Sequence, residues 1–399
     1  MDILDKNYIF VGDNLRIMTS EKFKDVVSSV DTIYIDPPYN TKHRFIYDDK
    51  KDRPAWISFM RDRLTVARSL LKPEGVIFIS IDDNEFAYLK TLCDAVFGDD
   101  NFVGTFITNQ SQRSNSKHIN IVHEYILCYA KEKKNVPAFK VRRMSIPEDR
   151  HMITKIADEI KQTFKTQGEE QARQRLKELI KYWCRERNIT WLKNYNSIDE
   201  EGNVYYGQDL STPRNPVEVC IPEIGLMLKP LPTRGWSTPK KFLEAHNNGR
   251  LIFKNGRPYE KRLLTEAEDN ASSLLNFYSR QGKHDLDRLG LRDLFDTPKP
   301  VGLIKHLIRM STPENGTVLD FFGGSGTTAQ AVYEINQEDN TNRHYVLIQI
   351  DEEIPASQAA YSVCLQHRIS PFISDAMIYR IQTFLAKHDD IEGNYEIIV

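Results

Sequence analysis

Four consecutive residues, Asp36, Pro37, Pro38 and Tyr39, follow an apolar run and combine groups suited to holding a planar amine. The exocyclic amine of adenine is a poor nucleophile because its lone pair is delocalised into the ring. A carboxylate beside a backbone carbonyl accepts both amine hydrogens and turns that lone pair outward, and the motif supplies both acceptors. The prolines fix φ and donate no competing N–H, while the tyrosine offers a flat face to a base taken out of a duplex. An acid that only caps a proline turn is the simpler alternative.

A second candidate site is the glycine-rich stretch DFFGGSGTTAQAV at 320–332, which joins a strand pattern to a helix pattern. Glycines at such a turn let the backbone bend sharply and let a ligand approach without a Cβ in the way. The segment GSGTTA, with Asp351 and Glu352 ending the next apolar run, also fits a dinucleotide fingerprint and therefore an NAD-dependent enzyme. A glycine-rich helix entry without a ligand is the third possibility. The 36–39 motif, which a dehydrogenase has no reason to carry, favours a cofactor loop of another kind.

The elements that would position these motifs follow an α/β pattern. Over the first 130 residues, short apolar runs alternate with helical patterns, as in a parallel sheet. The character then changes to a charge-laced helical stretch at 153–187 and a proline-rich segment with basic and aromatic residues, before strand and helix patterns return. We therefore predict a catalytic domain in two parts, 1–131 and 280–399, separated by an inserted region at 132–279.

Composition places few limits on function. The 399 residues are 40% hydrophobic, as in an ordinary folded protein, and the formal net charge of -2 indicates no polyanion partner by itself. The five cysteines lie far apart without a C-x-x-C pair, which favours reduced thiols in a cytoplasmic protein and no zinc site. No signal-peptide pattern and no membrane-spanning apolar stretch is present in the sequence.

The conjunction of DPPY and DFFGGSGTTAQAV resembles the DNA amino-methyltransferases that use S-adenosylmethionine. The order, with the catalytic motif first, resembles the β class of adenine-N6 enzymes, and VGDNLRIM, SKHINIVHEYILCYAK and TPKPVGLIKHLI agree with it. DPPYNTKHRFIYDD and VLIQIDEE are most similar to modification subunits of type III restriction systems and their solitary relatives. The resemblance covers roughly 1–131 and 280–355. It implies a Rossmann-like class I methyltransferase fold with circularly permuted motifs, a mostly parallel seven-stranded sheet with one antiparallel strand, and an inserted target-recognition region.

The resemblance also implies site residues, S-adenosylmethionine as the methyl donor, and no metal. The target base is assigned to Asp36, Pro37, Pro38 and Tyr39. The cofactor is assigned to Asp13, Lys299, Asp320, Phe322, Gly323, Gly324, Ser325, Gly326, Gln349 and Asp351. Within this set, Lys299 is expected near the cofactor carboxylate and Asp13 near its adenine. The acid that usually binds the ribose aligns with Gln349, so either Gln349 or Asp351 takes that role.

Double-stranded DNA is the expected macromolecular partner. The candidate DNA contacts are Arg113, Lys117, Arg234 and Trp236, although solvated loops with ordinary charges are an equal alternative for any one of them. The helical stretch at 153–187 mixes charge signs, which favours a dimer or support helix over a DNA reader. A homodimer and a nuclease subunit of a restriction system are the further partners that the resemblance implies.

One other motif invites a metal or general-base interpretation. His123 and Glu124 lie in HEYILC, which lacks the second His, four residues on, that a zinc-binding helix carries. We therefore expect a structural His at the edge of a strand rather than a metal ligand.

Taken together, the motifs predict a site-specific DNA methyltransferase that acts on N6 of a flipped adenine by direct in-line displacement, without a covalent enzyme intermediate. Two alternative functions remain open from the sequence. Methylation of cytosine N4 uses the same geometry, although Ser more often replaces the leading Asp. A methyltransferase fold without activity would serve as a DNA-binding subunit, and the intact motifs argue against it.

Overall fold

The computed structural model describes residues 6–41, 51–110, 118–213 and 218–399. Within these ranges the chain forms two compact units. The first comprises the described parts of Met1–Phe139 and Asn270–Val399, and the second is Lys140–Asp269. The insert predicted at 132–279 is wider than the second unit at both ends. No described helix combines the length and the apolar character that crossing a bilayer requires.

Nine strands of the described chain form one large sheet in the first unit. In chain order they are β1 Asn7–Val11, β2 Val30–Ile35, β3 Leu71–Ile81, β4 Phe102–Asn109, β5 His123–Ala130, β6 Leu274–Tyr278, β7 Thr317–Asp320, β8 His344–Gln349 and β9 Tyr395–Ile398. Their spatial order is β6-β4-β5-β3-β2-β7-β8-β1-β9. Neighbouring strands are parallel except at β5, which runs antiparallel to β3 and β4. The predicted Rossmann-like sheet with one antiparallel strand is confirmed.

Two strands exceed the seven that the resemblance implied, and both lie at the edges of the sheet. β6 pairs in parallel with β4, and β9 pairs in parallel with β1. β6 also lies within the 132–279 range that the sequence assigned to the insert. An edge strand has one neighbour and exposes much of its side-chain surface, so its apolar pattern is weaker than that of a central strand.

The strand order brings the separated motifs together. β2 is adjacent to β7, with Ile33 opposite Leu319, and β7 is adjacent to β8, with Leu319 opposite Val346. β8 in turn pairs with β1. Because neighbouring parallel strands end at the same edge of a sheet, the residues that end or follow β1, β2, β7 and β8 meet there.

Helices cover both faces of this sheet, since its central strands are apolar on both sides. Ile33 and Ile35 pack in a core with Trp56 and Leu89, whereas Tyr34 packs in the core on the opposite face. The described helices of this unit are Asn14–Met18, Arg53–Leu70, Phe86–Phe97, Arg280–Leu289, Val301–Ser311, Thr327–Asp339, Ala359–Gln366 and Ile373–Ala386.

The second unit combines helices with small antiparallel sheets. Two helices, Pro147–Gln167 and Glu169–Glu186, replace the continuous helical stretch predicted at 153–187, because Gly168 has a φ of 91° and interrupts the helix. The largest sheet of this unit contains Ser197–Ile198, Val204–Asp209, Leu251–Lys254 and Arg257–Leu263. The remaining described strands and helix are Lys140–Arg142, Ser211–Thr212, Val219–Ile221, Leu226–Leu228, Gly235–Trp236, Glu268–Asn270 and Pro239–Asn247.

Candidate active site

Asp36 follows the last residue of β2 and lines a cavity at the carboxyl end of the sheet. Its Oδ1 is buried and receives no hydrogen bond of good geometry from the described residues, although Lys299 Nζ lies 3.2 Å away as an ion-pair partner. Burial raises the pKa of the Asp36 carboxyl, the Lys299 ammonium opposes that rise, and Glu124 adds to it. A buried oxygen of this kind is an acceptor available to a ligand N–H.

The rest of the DPPY motif is held by contacts from neighbouring elements. Pro37 is buried, and the Pro38 carbonyl accepts a hydrogen bond from the indole N–H of Trp56 at 2.8 Å. Asn40 has a left-handed φ of 57°, which Asn tolerates better than most residues. Its side-chain amide donates to Glu85 Oε1 at 3.0 Å. These contacts fix the course of the loop that follows Asp36.

The Lys299 ammonium links this motif to the strands around β5. Its Nζ lies 2.7 Å from the Tyr39 hydroxyl and 2.8 Å from Glu124 Oε2. Gln110 Nε2 donates to the other Glu124 oxygen at 2.5 Å. Burial lowers the pKa of Lys299, but Asp36 and Glu124 outweigh this effect and raise the pKa overall. Lys299, which the resemblance assigned to the cofactor carboxylate, therefore contacts Asp36 and Tyr39 of the DPPY motif.

Glu124 and Gln110 were not predicted as site residues. Sequence reasoning considered Glu124 only together with His123, as a metal or general-base pair. In the structure His123 Nε2 lies 2.8 Å from the Tyr125 hydroxyl, on the opposite side of β5 from Glu124, because alternate residues of a strand face opposite sides. The one signal in the sequence was the position of Glu124 in a segment that resembles the family.

Asp320 ends β7, and its carboxylate holds the glycine turn. The Thr328 hydroxyl donates to Oδ2 at 2.6 Å, and the Phe322 N–H donates to Oδ1 at 3.1 Å. Burial raises the pKa of Asp320 to about 7, although both hydrogen bonds act in the opposite direction. The side chain also lines the cavity. Asp320 therefore shapes the loop and faces the site at once.

Backbone geometry explains two glycines of the turn. Gly324 and Gly326 have φ values of 52° and 74°, in the left-handed region that favours glycine. The Gly324 N–H donates to Gln349 Oε1 at 2.7 Å, and the Gly323 N–H donates to the Ile348 carbonyl at 3.0 Å. The turn is therefore bound to the end of β8.

The two candidates for ribose binding lie in different surroundings. Gln349 is 7% exposed and lines the cavity while its side chain supports the glycine turn. Asp351 is exposed, lies outside the cavity wall, and accepts a hydrogen bond from the Ser374 hydroxyl at 2.5 Å. Glu352, which was not among the predicted binding residues, lines the cavity. The structure thus brings Gln349 and Glu352 to the cavity wall, and not Asp351.

Asp13 follows β1 and caps the helix that begins at Asn14. Its Oδ2 accepts a hydrogen bond from Arg63 Nη2 at 2.9 Å, and Arg63 Nε donates to Asn14 Oδ1 at 2.6 Å. Asn14 Nδ2 donates to the Phe321 carbonyl at 2.6 Å, so this network reaches the glycine turn. Asn14 and Arg63 both line the cavity, and sequence reasoning missed them.

A buried arginine supports the glycine turn from behind. Arg380, on helix Ile373–Ala386, is 1% exposed. Its Nη1 donates to the Ser325 carbonyl at 2.8 Å and to the Thr327 hydroxyl at 2.8 Å, and its Nη2 donates to Gln330 Oε1 at 2.9 Å. Burial lowers the pKa of Arg380 to about 10, against two nearby carboxylates. Nothing in the local sequence indicated this contact, because it joins distant elements.

The cavity has a volume of about 430 Å³, which suits a small cofactor. Its wall includes the rings of Phe59 and Phe322, whose centroids lie 6.1 Å apart. The predicted residues that line it are Asp13, Asp36, Pro38, Lys299, Asp320, Phe322, Gly323, Gly324, Ser325 and Gln349. The predicted residues outside its wall are Pro37, Tyr39, Gly326 and Asp351. Across the described ranges, no group of three or more His, Cys, Asp and Glu side chains is placed to hold a metal ion.

The four predicted DNA contacts are only partly described. Arg113 and Lys117 lie outside the described residues. Arg234 is exposed, and its guanidinium is hydrogen bonded to a neighbouring strand. Trp236 is 6% exposed within the core of the second unit, and its indole N–H donates to the Lys229 carbonyl at 2.8 Å. This burial leaves the ring no free face for a base, so it does not support the predicted DNA contact of Trp236.

Comparison with known proteins relates the sequence to DNA methylases. Residues 30–359 match the profile of the N6/N4 methyltransferase family, described as DNA methylase. The chain is 33% identical to the type III restriction-modification enzyme EcoPI Mod subunit of Escherichia phage P1, over 90% of this chain and 59% of that protein. It is 30% identical to the type II methyltransferase M.KpnI of Klebsiella pneumoniae, over 88% of this chain and 82% of that protein.

The chain is shorter than its Mod relatives. It is 30% identical to the EcoP15I Mod subunit of Escherichia coli over 87% of this chain, but spans only 59% of that protein. Among solved structures, a DNA modification methylase of Thermus thermophilus aligns over 98% of this chain and 100% of its own, with a TM-score of 0.44 and 13% identity. The PvuII cytosine-N4 DNA methyltransferase aligns over 98% and 95%, with a TM-score of 0.44 and 11% identity.

Proposed function

The chain belongs to the N6/N4 DNA methylase family, and from that membership we propose that it transfers a methyl group from S-adenosylmethionine to N6 of a flipped adenine in DNA. The observation that carries the proposal is Asp36 Oδ1, a buried acceptor on the cavity wall that receives no hydrogen bond of good geometry within the described part of the chain. Under this proposal the backbone carbonyl of Pro37 is the second acceptor that the hydrogens of an aromatic amine require, although Pro37 itself does not line the described cavity wall.

The chemistry of the described wall supports this cofactor. The lining carboxylates outnumber the lining ammonium and guanidinium groups, which suits a molecule whose ammonium and sulfonium together outweigh its one carboxylate. The lining carboxylates are Asp13, Asp36, Asp296, Asp320 and Glu352, and the lining cations are Lys51, Arg63 and Lys299. When bound, S-adenosylmethionine supplies an electrophilic methyl group.

Under this proposal each region of the cavity has a role. Asp320 and the glycine turn hold the methionine end of the cofactor, and Asp13 lies near its adenine. Gln349, a neutral partner, is favoured over Asp351 for the ribose, because Gln349 lines the cavity. Asp36 accepts a hydrogen bond from the target amine and does not act as a strong base, because the amine of a neutral adenine is far less acidic than a carboxylic acid.

The leading acid of the motif favours adenine over cytosine. By resemblance, the cytosine-N4 enzymes more often carry Ser at the position of Asp36. The family covers both base specificities, so the product itself must be identified.

The deciding experiment is a mass-spectrometric analysis of nucleosides from unmethylated DNA incubated with the protein and S-adenosylmethionine. We expect N6-methyladenine from the wild type, and a loss of about 100-fold or more in Asp36→Ala with cofactor binding retained by calorimetry. Asp25→Ala, which removes an exposed acid outside the site, is the matched control and should retain activity. N4-methylcytosine would overturn the base assignment, and cofactor binding with no methylated nucleoside on diverse DNA would indicate an inactive DNA-binding subunit.

We also propose that the second unit, Lys140–Asp269, is the target-recognition region and that the protein acts as a homodimer or with a nuclease subunit. Support for these partners comes from the resemblance to type III Mod subunits, of which the chain spans only part. Light scattering of the full chain, with and without DNA, tests the dimer. A strict monomer with full methylation activity would contradict it.

A further inference from the structure

We infer that Glu124 is a positioning residue for Lys299: the Lys299 charge favours the ionised form of Asp36, and Glu124 holds the ammonium so that Asp36 Oδ1 remains available to the target amine. This inference rests on the proposed function for the identity of the amine. Its structural part concerns three side chains of this chain only, and it can be tested without cofactor or DNA.

The contacts of Lys299 are unequal. Its Nζ donates to Tyr39 at 2.7 Å and to Glu124 at 2.8 Å, whereas Asp36 Oδ1 lies at 3.2 Å, in an ion-pair contact without good hydrogen-bond geometry. Glu124 is itself fixed, since its other oxygen accepts from Gln110 at 2.5 Å. The ammonium is therefore held on the side of Glu124, close enough to Asp36 for a strong charge interaction.

The titratable groups that face Asp36 come from several elements. They are Tyr34 on β2, Tyr39 in the motif loop, Glu124 on β5, Lys299 ahead of helix Val301–Ser311, and Asp320 at the end of β7. Tyr34 is buried and Tyr39 is half-buried, and burial raises the pKa of both hydroxyls, so they stay neutral. The single positive charge of this set is Lys299.

Glu124 and Lys299 affect Asp36 in different ways. Without Glu124, the ammonium would lose one of its two short contacts and could move closer to Asp36, onto the oxygen that the substrate needs. Without Lys299, two carboxylates would face each other in a buried site, and one of them would take up a proton. With all three present and ionised, the cluster carries one net negative charge, which is compatible with a cationic methyl donor beside it.

The chain contains a matched control for this arrangement. Lys305, on helix Val301–Ser311, also lies between two carboxylates, at 2.7 Å from Glu334 and 2.6 Å from Glu338. Its side chain is 12% exposed, against 13% for Lys299, and it does not line the cavity. Lys305→Met is therefore the same chemical change in a similar environment, away from Asp36.

The test is a carbon-13 NMR titration of the aspartate carboxyl groups in the cofactor-free full chain, with the Asp36 signal identified by its loss in Asp36→Asn. Lys299→Met should move the titration of Asp36 to higher pH by at least about one unit, and Glu124→Gln should move it to lower pH. Lys305→Met should leave it unchanged, and Glu124→Asp should keep it closer to wild type than Glu124→Gln does. An unchanged titration in Glu124→Gln would overturn the inference.

A kinetic readout separates this role from a structural one. Glu124→Gln should lower kcat for methyl transfer about tenfold or more while KM for S-adenosylmethionine changes less than about twofold, and Glu124→Asp should restore part of kcat. A KM that rises by as large a factor as kcat falls, or an unchanged kcat, would contradict the positioning role. If the variants show the expected NMR shifts but the wild type methylates no DNA, the proposed function is refuted and the inference about the charge cluster still holds.

Discussion

Asp320 is an acid that the fold makes easier to protonate. Burial raises its pKa from 3.8 in a model peptide to about 7, against the effect of hydrogen bonds from Thr328 and Phe322. Between these two pKa values, the Asp320 carboxyl is protonated in the folded chain and ionised in the unfolded chain. The stability that this group contributes is therefore fully present below about pH 4 and is lost as the pH rises through about 7.

We expect Asp320→Asn to remove this dependence. The free energy of unfolding of the cofactor-free wild type should fall between pH 5 and pH 8, relative to the variant, by on the order of a few kcal/mol. Chemical denaturation at both pH values measures the difference, and the other buried acids cancel because both proteins contain them. Parallel pH profiles would show that Asp320 is ionised in the folded chain and would refute this prediction.

At the scale of elements, the glycine turn packs against the helix that carries Met377. A Cβ on Gly326 would lie 3.0 Å from Met377 Cγ, and the φ of 74° would strain any side chain there. A Cβ on Gly323 would lie 2.9 Å from Met377 Sδ, the flexible part of that side chain, and the backbone there is not left-handed. The two positions are therefore glycine for different reasons.

Because the two glycines are required for different reasons, the second substitution Met377→Ala should rescue only one of the two alanine variants. Gly326→Ala should lower stability by about 1–3 kcal/mol and weaken binding of S-adenosylmethionine, and the additional change Met377→Ala should not restore either property. Gly323→Ala should be milder and should be largely rescued by Met377→Ala. Thermal unfolding and calorimetry measure both effects. Equal rescue of the two variants would show that crowding alone, and not φ, determines glycine at 326.

The elements were predictable to different degrees for physical reasons. Central strands and the two motifs carry strong local signals, an apolar run followed by an acid or by glycines, so β2, β7 and the turn between sheet and helix follow from sequence. Edge strands β6 and β9 carry weak signals because they are half exposed. The partners of Lys299 and the contact of Arg380 could not be derived locally, because each depends on which distant elements pack together.

At the scale of the whole molecule, the first unit is interrupted in sequence and continuous in structure. The Ala271 N–H donates to the Phe139 carbonyl at 3.2 Å, so the chain leaves and re-enters this unit at neighbouring positions. The second unit has apolar cores of its own, one around its two long helices and one around Phe242. All the described residues that line the cavity belong to the first unit.

Together with the proposed role of the second unit in target recognition, this division predicts that cofactor binding and target choice are separable. The variant that tests this prediction has residues 140–269 replaced by a short Gly-Ser linker. The ends to be joined are already within hydrogen-bonding distance, so a short flexible linker closes the gap with little entropic cost. We expect this chain to unfold cooperatively and to bind S-adenosylmethionine within about threefold of the full chain, since no lining residue is removed. Methylation of DNA should fall by about 100-fold or more, because a protein without base contacts keeps only the weaker non-specific binding.

Calorimetry and the nucleoside assay measure the two properties on the same preparation. A folded chain that no longer binds the cofactor would show that the second unit supports the cavity, and one that still methylates specific sites would place target recognition in the first unit.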